Sequence, residues 1–403
     1  MVKPVTTMTH DTNIPQGYKA TALGIIPQEW EVRPLNYLGA ICSGGTPDTE
    51  VAEYWNGDIA WCTPSDITKL DTKYIESTEV KITAKGLKES SATLLPPRSI
   101  VVCTRATIGN AAICNTEIAT NQGFKNIIPN EKTNPEWLYY IIIYSKPRLV
   151  RFGCGSTFLE VSKKDFSRFK IAVPPLAEQR KIAEVLSVWD EAIEKQARLI
   201  EKLALRKRAL MQRLLSAKLR LPGFSEPWKK VKLGDVAELY QPQTIQSEDL
   251  SQTGYPVYGA NGLIGYYNNY NHEYPQVVIT CRGSSCGTVN FTPGKCWITG
   301  NAMVLNVDNN RDVNKSFFYY LISNSSFVNL ISGSGQPQIV RQPLLKFELR
   351  IPPLKEQTAI AEVLTAADRE IDLAKEKLER LRRQKRGLMQ QLLTGKKRVK
   401  YGN

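Results

Sequence analysis

Residues 174–220 return near the C-terminus. Pro174-Pro175-Leu176, Glu178-Gln179 and Ile182-Ala183-Glu184-Val185-Leu186 reappear as Pro352-Pro353-Leu354, Glu356-Gln357 and Ile360-Ala361-Glu362-Val363-Leu364. At one constant offset Asp190 matches Asp368, Ile193 matches Ile371, Lys207-Arg208 matches Lys385-Arg386, and Leu210-Met211-Gln212 matches Leu388-Met389-Gln390. An internal duplication settles the architecture before any local pattern does. The chain is two copies of one unit, and a two-fold chain with non-identical halves points to a ligand that is itself two-part.

Within each copy the apolar positions step by four and three. The first series is Ile182, Leu186, Trp189, Ile193, Gln196, Ile200, Leu203, Lys207, Leu210 and Leu214. The second is Ile360, Leu364, Ala367, Ile371, Ala374, Leu378, Leu381, Lys385, Leu388 and Leu392, in the same phase and with its polar break at the same rung. This is a heptad seam built from helix-forming residues, opened by Pro-Pro, which suits a first helical turn. Acids come early (Asp190, Glu191, Glu194; Asp368, Glu370, Asp372) and bases late (Arg206–Arg213; Arg380–Arg386). A parallel pair would set like charges side by side, so the pattern predicts an antiparallel coiled coil of about 40 residues per helix, roughly 60 Å long at 1.5 Å per residue. Such a rod is expected to hold two globular domains at a fixed separation. The competing expectation is that each helix only lines its own domain's core, which calls for a wider apolar stripe.

Composition narrows the class. With 403 residues, 42% apolar and 23% charged, the chain is globular and long enough for two domains. It has no bilayer-length apolar run and no signal-peptide h-region, so the expected location is the cytosol. Its eight cysteines include no Cys-x-x-Cys pair and several sit in apolar strand-like runs, the pattern of buried reduced thiols. With only His10 and His272, histidine-based catalysis or a zinc site has little material. The net charge of +14 is concentrated on the repeats. Residues 177–220 carry eleven Lys and Arg against six acids, residues 355–400 thirteen against seven, and the remainder of the chain is only +3. Any DNA contact by the intervening regions therefore depends on local patches.

The duplication extends weakly into those regions. Trp30 and Leu35 match Trp228 and Leu233; Val101–Arg105 resembles Val278–Arg282; Tyr139-Tyr140 resembles Tyr319-Tyr320; Gly155-Ser156 matches Gly333-Ser334. Strand-like and helix-like runs alternate, which predicts mixed α/β domains at 26–173 and 221–350. They are flanked by an extension at 1–25, helical segments at 174–220 and 351–395, and a basic tail at 396–403. Base-edge readers must be donors or acceptors on loops. The candidates are Arg105, Asn121, Gln122, Thr157, Lys163 and Lys164 in the first half, and Arg282, Asn301, Gln336, Gln338 and Arg341 in the second. For each, the competing role is a solvated loop or a turn-stabilising side chain. Tyr266, Tyr267 and Tyr270 with Asn268 and Asn269 form a polar-aromatic stretch whose commoner role is packing.

Variable domain, Pro-Pro-Leu-x-Glu-Gln helix, variable domain, Pro-Pro-Leu-x-Glu-Gln helix: from about Trp30 to Leu393 this layout resembles the specificity subunits of type I restriction-modification systems. Gly333–Ile339 is similar to a stretch common in that family's second half, from which Gly155–Val161 departs. The resemblance implies an α/β fold class with two target-recognition domains, separated by two long antiparallel coiled-coil helices in a pseudo-two-fold repeat. It implies a non-catalytic subunit whose domains each read one half of a split, asymmetric double-stranded DNA site. The helices would set the unread spacer and dock two adenine methyltransferase subunits, which bind S-adenosylmethionine. A translocating nuclease subunit, using ATP and Mg, can join. Half-sites one helical turn apart lie ~34 Å centre to centre, within reach of such a rod.

Other classes account for less. Asn134-Pro135-Glu136-Trp137 mimics an adenine-methyltransferase tetrapeptide, but its third residue is Glu and a helix start at Pro135 explains it better. Pro47-Asp48 with Asp71-Thr72-Lys73 meets a loose nuclease spacing in which Asp48 and Asp71 would hold Mg²⁺ and Lys73 would stabilise charge, a cheap match. The specificity subunit of a related type II-like methyltransferase-nuclease, without a translocating subunit, is a nearer alternative. There is no P-loop, and a scaffold without DNA contact leaves two differing domains on one frame unexplained.

Overall fold

The computed structural model describes residues 14–153, 159–259, 262–333 and 335–400. They fall into two compact units: residues up to Ala197 with those from Glu376 onward, and residues Arg198–Lys375. By contacts, each long helix is divided between the two units.

In the first unit a five-stranded sheet runs Gly39–Ser43, Phe124–Pro129, Ile100–Cys103, Ala111–Cys114, Tyr74–Ile75. Alternation along the central strands decides which side chain goes where. Ile100 and Val102 pack with Trp137, Leu138 and Ile141 of the helix Pro135–Phe152, whereas Val101 and Cys103 face a second cluster with Ile75, Leu95 and Phe124. Both faces are covered, so these strands are continuous apolar runs. Lys170–Val173, just before Pro174-Pro175, pairs antiparallel with Glu31–Pro34.

The second unit repeats the frame. Its four-stranded sheet runs Glu238–Tyr240, Ala302–Asn306, Val277–Thr280, Val289–Phe291. Val277 and Ile279 pack against Phe317 and Leu321 of the helix Lys315–Ser323, and Val278 faces Cys296 and Ile298. Lys229–Lys232 pairs with Glu348–Ile351, again just before Pro-Pro. Each sheet carries a small satellite sheet, and there the halves diverge. One joins Trp55–Cys62 to Ile118–Thr120 and Lys81–Ile82, the other Tyr255–Gly259 to Gly262–Tyr267 and Trp297–Ile298.

The central helix spans Leu176–Leu214 and the terminal helix Leu354–Leu392, 39 residues each. In the first unit Ile182, Ala183 and Leu186 share a core with Met389, Leu392 and Leu393, while Asp190, further along, meets Lys385. In the second, Leu214 shares a core with Ile360 and Leu364, and Lys207 meets Asp368. In both, numbering rises on one helix as it falls on the other, so the pairing is antiparallel. Both expectations for the helices hold in part. Leu203, Ile371, Ala374 and Ile200 make a narrow cluster of their own, whereas Ile182, Leu186, Ile360 and Leu364 belong to the main domain cores. Trp189, Ile193, Leu210, Leu381 and Leu388 are half-buried and Leu378 is buried.

Seven cysteines among the described residues are free thiols. Burial pushes Cys103 and Cys281 up to about 11 and Cys114 to about 12. Among the described residues no helix is long and apolar enough to cross a membrane.

Candidate nucleic-acid interface

The repeated motif holds each unit together. Glu178 is 1% exposed and accepts a fork from Arg398, Nε at 2.6 Å and Nη2 at 3.0 Å, together with the Trp30 indole N–H at 2.9 Å. Glu356 accepts the same set from Arg220, at 2.6 and 2.8 Å, and from Trp228 at 3.2 Å. A bidentate guanidinium and an indole satisfy a carboxylate that burial would otherwise penalise. Gln179 spends both ends of its amide on main chain. Oε1 accepts from Asn134 N–H at 2.9 Å, and Nε2 donates to the carbonyls of Lys132 and Pro174. Gln357 does the same with Asn314, Asp312 and Pro352. The motif thus pins the start of the long helix to the domain.

The polar rung of the seam has a matching logic. Asp190 accepts from Lys385, from Lys73 at 3.3 Å and from the Tyr140 hydroxyl; Asp368 accepts from Lys207 and, at 2.7 Å, from Tyr320. Burial, reinforced by the Asp190 charge, raises the Tyr140 phenol far above its ordinary range, which keeps it a donor; burial does the same for Tyr320 beside Asp368. Heptad counting found both lysines but not these partners, and it missed Glu178, Gln179, Arg220 and Arg398. Their partners, such as Asn134, Arg398 and Glu356, lie off the heptad seam and come close only in the fold.

With the helices fixed, each domain presents one edge built the same way twice. In the first unit Thr104 N–H bonds Gly123 O at 2.8 Å and Val161 N–H bonds Thr104 O at 3.0 Å; in the second, Cys281 N–H bonds Asn301 O at 3.1 Å and Ile339 N–H bonds Cys281 O at 2.9 Å. Isolated bridges then set Arg105 opposite Glu160 and Arg282 opposite Gln338. Gly109 and Gly287, at φ of +83° and +89°, close the two hairpins behind these arginines.

The side chains on the edges differ. Arg105 donates to Glu160 through Nε at 3.2 Å and Nη2 at 2.6 Å, and the buried Lys125 stands 3.6 Å from the same carboxylate. Burial holds the Lys125 ammonium below its ordinary pKa, partly opposed by the Glu160 carboxylate. Asn121 accepts from Gly123 N–H at 2.9 Å, a turn-stabilising role, and exposed Gln122 accepts from the Thr46 hydroxyl. On the second edge Arg282, Asn301 and Gln338 are exposed, and their side chains have no hydrogen-bond partner among the described residues.

The remaining candidates scatter. Lys163 and Lys164 are exposed at the start of the helix Lys163–Arg168, and Gln336 is exposed. Arg341 is exposed, with its Nε donating to Leu239 O at 2.7 Å. Thr157, with Gly155 and Ser156, lies outside the described residues. Tyr267 packs edge-on against Trp297 and Tyr270 against Tyr255, the packing role. Asn134 caps the helix Pro135–Phe152 by accepting from Trp137 N–H, the helix-start role, and Asn314 does the same for Phe317 in the second unit. The nuclease set does not assemble around Lys73. Its ammonium donates to Tyr140 at 2.9 Å and Ser187 at 2.8 Å in the helix-pairing cluster, and Asp48 caps the Glu50 N–H.

Comparison with known proteins agrees with this geometry. The type I restriction modification DNA specificity domain matches residues 27–204 and again 225–383. The chain belongs to this family and carries two of its domains, the arrangement of a type I restriction-modification specificity subunit. The MjaIX specificity subunit of Methanocaldococcus jannaschii is 40% identical over 193 residues, 47% of this chain and 45% of that protein. The MjaVIII subunit of the same organism is 24% identical over 94% of this chain and 95% of its own length, and the Escherichia coli EcoprrI subunit 26% identical over 84% and 88%. The fold is shared with the S subunit from M. genitalium, at TM-score 0.57 and 17% identity over 90% of this chain and 96% of that one. It is also shared, at TM-score 0.62 and 20% identity over 92% and 99%, with a chain from a structural study of complex assembly and conformational transition of the type I R-M system.

Proposed function

We propose that the two domains each read one half of a split, asymmetric duplex DNA site through the edges at Arg105 and Arg282, and that the paired helices set the unread spacer. Two adenine methyltransferase subunits would dock on the chain and supply S-adenosylmethionine and the chemistry, with ATP and Mg entering only through a nuclease subunit. Catalysis then belongs to the partners. One observation carries this: the same backbone edge is built twice and dressed differently, Arg105 with Glu160 against Arg282 with Gln338. A repeated frame with divergent donors and acceptors is what reading two unlike half-sites requires.

The test is to co-express the chain with its methyltransferase in a methylation-free host and map modified adenines by single-molecule sequencing. A split motif that depends on the chain is expected, with Arg105→Ala and Arg282→Ala each relaxing a different half. A soluble complex that modifies no motif overturns the proposal.

A further inference from the structure

Resting on that DNA-reading role, we infer that Glu160 determines the discrimination of the first domain by clamping Arg105 away from the phosphate backbone. An exposed arginine on a DNA-facing edge binds any phosphate, because phosphate contacts are blind to sequence. Arg105 is not free to do so. Its Nε and Nη2 both point at Glu160 Oε2, at 3.2 and 2.6 Å, so one of its two N–H forks is already engaged. The pair is partly exposed, at 46% and 31%, so the clamp is weak and exchangeable. A phosphate offers the same two-acceptor geometry as the O6 and N7 of a guanine, but it carries a full negative charge that Glu160 repels, whereas the guanine edge is uncharged. Glu160 also faces Lys125 at 3.6 Å, but Lys125 is buried, so the cation that loss of the Glu160 charge releases to solvent is Arg105.

The second domain supplies the built-in comparison. The position opposite Arg282 holds Gln338, which has the shape of Glu but no charge, and Arg282 has no ion-pair partner among the described residues. The two domains are thus set to different balances of grip and selectivity by one residue each.

The experiment uses the full chain and a random-sequence 40-base-pair duplex, with binding followed across a salt series. Glu160→Gln is expected to raise non-specific affinity about three- to tenfold at low salt and to steepen the plot of log K against log salt by about one, the release of one more counterion. Adding Arg105→Ala should erase that gain. The reciprocal change, Gln338→Glu, should lower affinity and flatten the slope by a similar amount, and it leaves Lys125 and the first domain untouched should Glu160→Gln perturb folding. A gain that survives in the double variant overturns the inference, as does Arg105→Ala weakening binding while Glu160→Gln and Gln338→Glu change nothing. If neither Arg105→Ala nor Arg282→Ala alters duplex binding, the DNA-reading role itself fails, a different pattern from the failure of the clamp.

Discussion

The side chains that matter most at the residue scale are buried, charged and already satisfied. Glu178 is a carboxylate at 1% exposure held by Arg398 and Trp30, so deleting it takes the acceptor from the indole N–H and the buried counter-charge from Arg398, which keeps its contact to Glu29. Glu178→Ala should cost about 3 to 5 kcal/mol, the usual penalty for breaking a buried ion pair, and Glu356→Ala about the same through Arg220 and Trp228. Urea unfolding followed by tryptophan fluorescence measures both, since each carboxylate touches a tryptophan. His272 gives a pH handle on the second unit. Its Nδ1 lies 2.6 Å from Asn271 Oδ1 and its Nε2 2.9 Å from the Tyr240 hydroxyl, which fits a neutral ring donating through Nδ1 and accepting through Nε2. Burial lowers its pKa below the ordinary value, partly opposed by Asp308. A lowered folded pKa means the unfolded chain takes up the proton first. The stability this residue contributes is therefore present above pH ~6.5 and is lost as pH falls from there toward the folded value. Melting temperatures between pH 7.5 and 5.5 should fall in the wild type and fall less in His272→Gln.

At the scale of elements, the two long helices are held in register by one acid each. Asp190 and Lys385 are 18% and 17% exposed, and Lys73, at 8%, leans on the same carboxylate. Asp190→Ala leaves two ammonium groups facing one another without a counter-charge and should cost about 3 to 5 kcal/mol. Asp368→Ala strands only Lys207 in a more exposed pair, at 36% and 20%, and should cost less. Hydrogen exchange along residues 176–197 and 376–392 would register the first, and along 198–214 and 354–375 the second. The helix ends differ too. Gly395 takes φ +70° just after the terminal helix, and a Cβ there would lie 2.3 Å from Pro27, whereas Ala217 occupies the matching place after the central helix at φ +57°. Ala217→Gly removes a left-handed alanine and should stabilise the chain by about 1 kcal/mol, read as a higher urea midpoint. Helix length, seam phase and antiparallel sense were legible in the sequence, because a repeat fixes register and charge order fixes direction. The roles of Glu178, Gln179 and Asp190 were not. A motif shows which residue types recur, but Arg398, Asn134 and Lys385 reach them only through the fold. Arg105 was legible as a donor on a loop, while the clamp on it was hidden in Glu160, a residue that spacing alone gives no reason to choose.

At the scale of the whole molecule, the division of each helix between the units at residues 197 and 375 says where change is tolerated. Every lock described above closes within one unit: Arg398 on Glu178, Lys385 on Asp190, Arg220 on Glu356, Lys207 on Asp368. An insertion at those two boundaries therefore breaks none of them, provided that it preserves the seam. Seven residues satisfy that condition, because the apolar pattern repeats every seven, whereas four would turn Leu203 or Leu378 out of phase with its neighbours. Seven residues add about 10 Å of helix at 1.5 Å each, close to three base pairs at about 3.4 Å per step. If the helices set the spacer, adding seven residues after Ala197 and seven after Lys375 should lengthen the unread gap of the modified motif by about three base pairs, with both half-sites unchanged. Motif mapping in the methylation-free host checks this directly. A motif that keeps its original gap would mean that the spacer is set elsewhere, and altered half-sites would mean that the domains do not read independently of the rod.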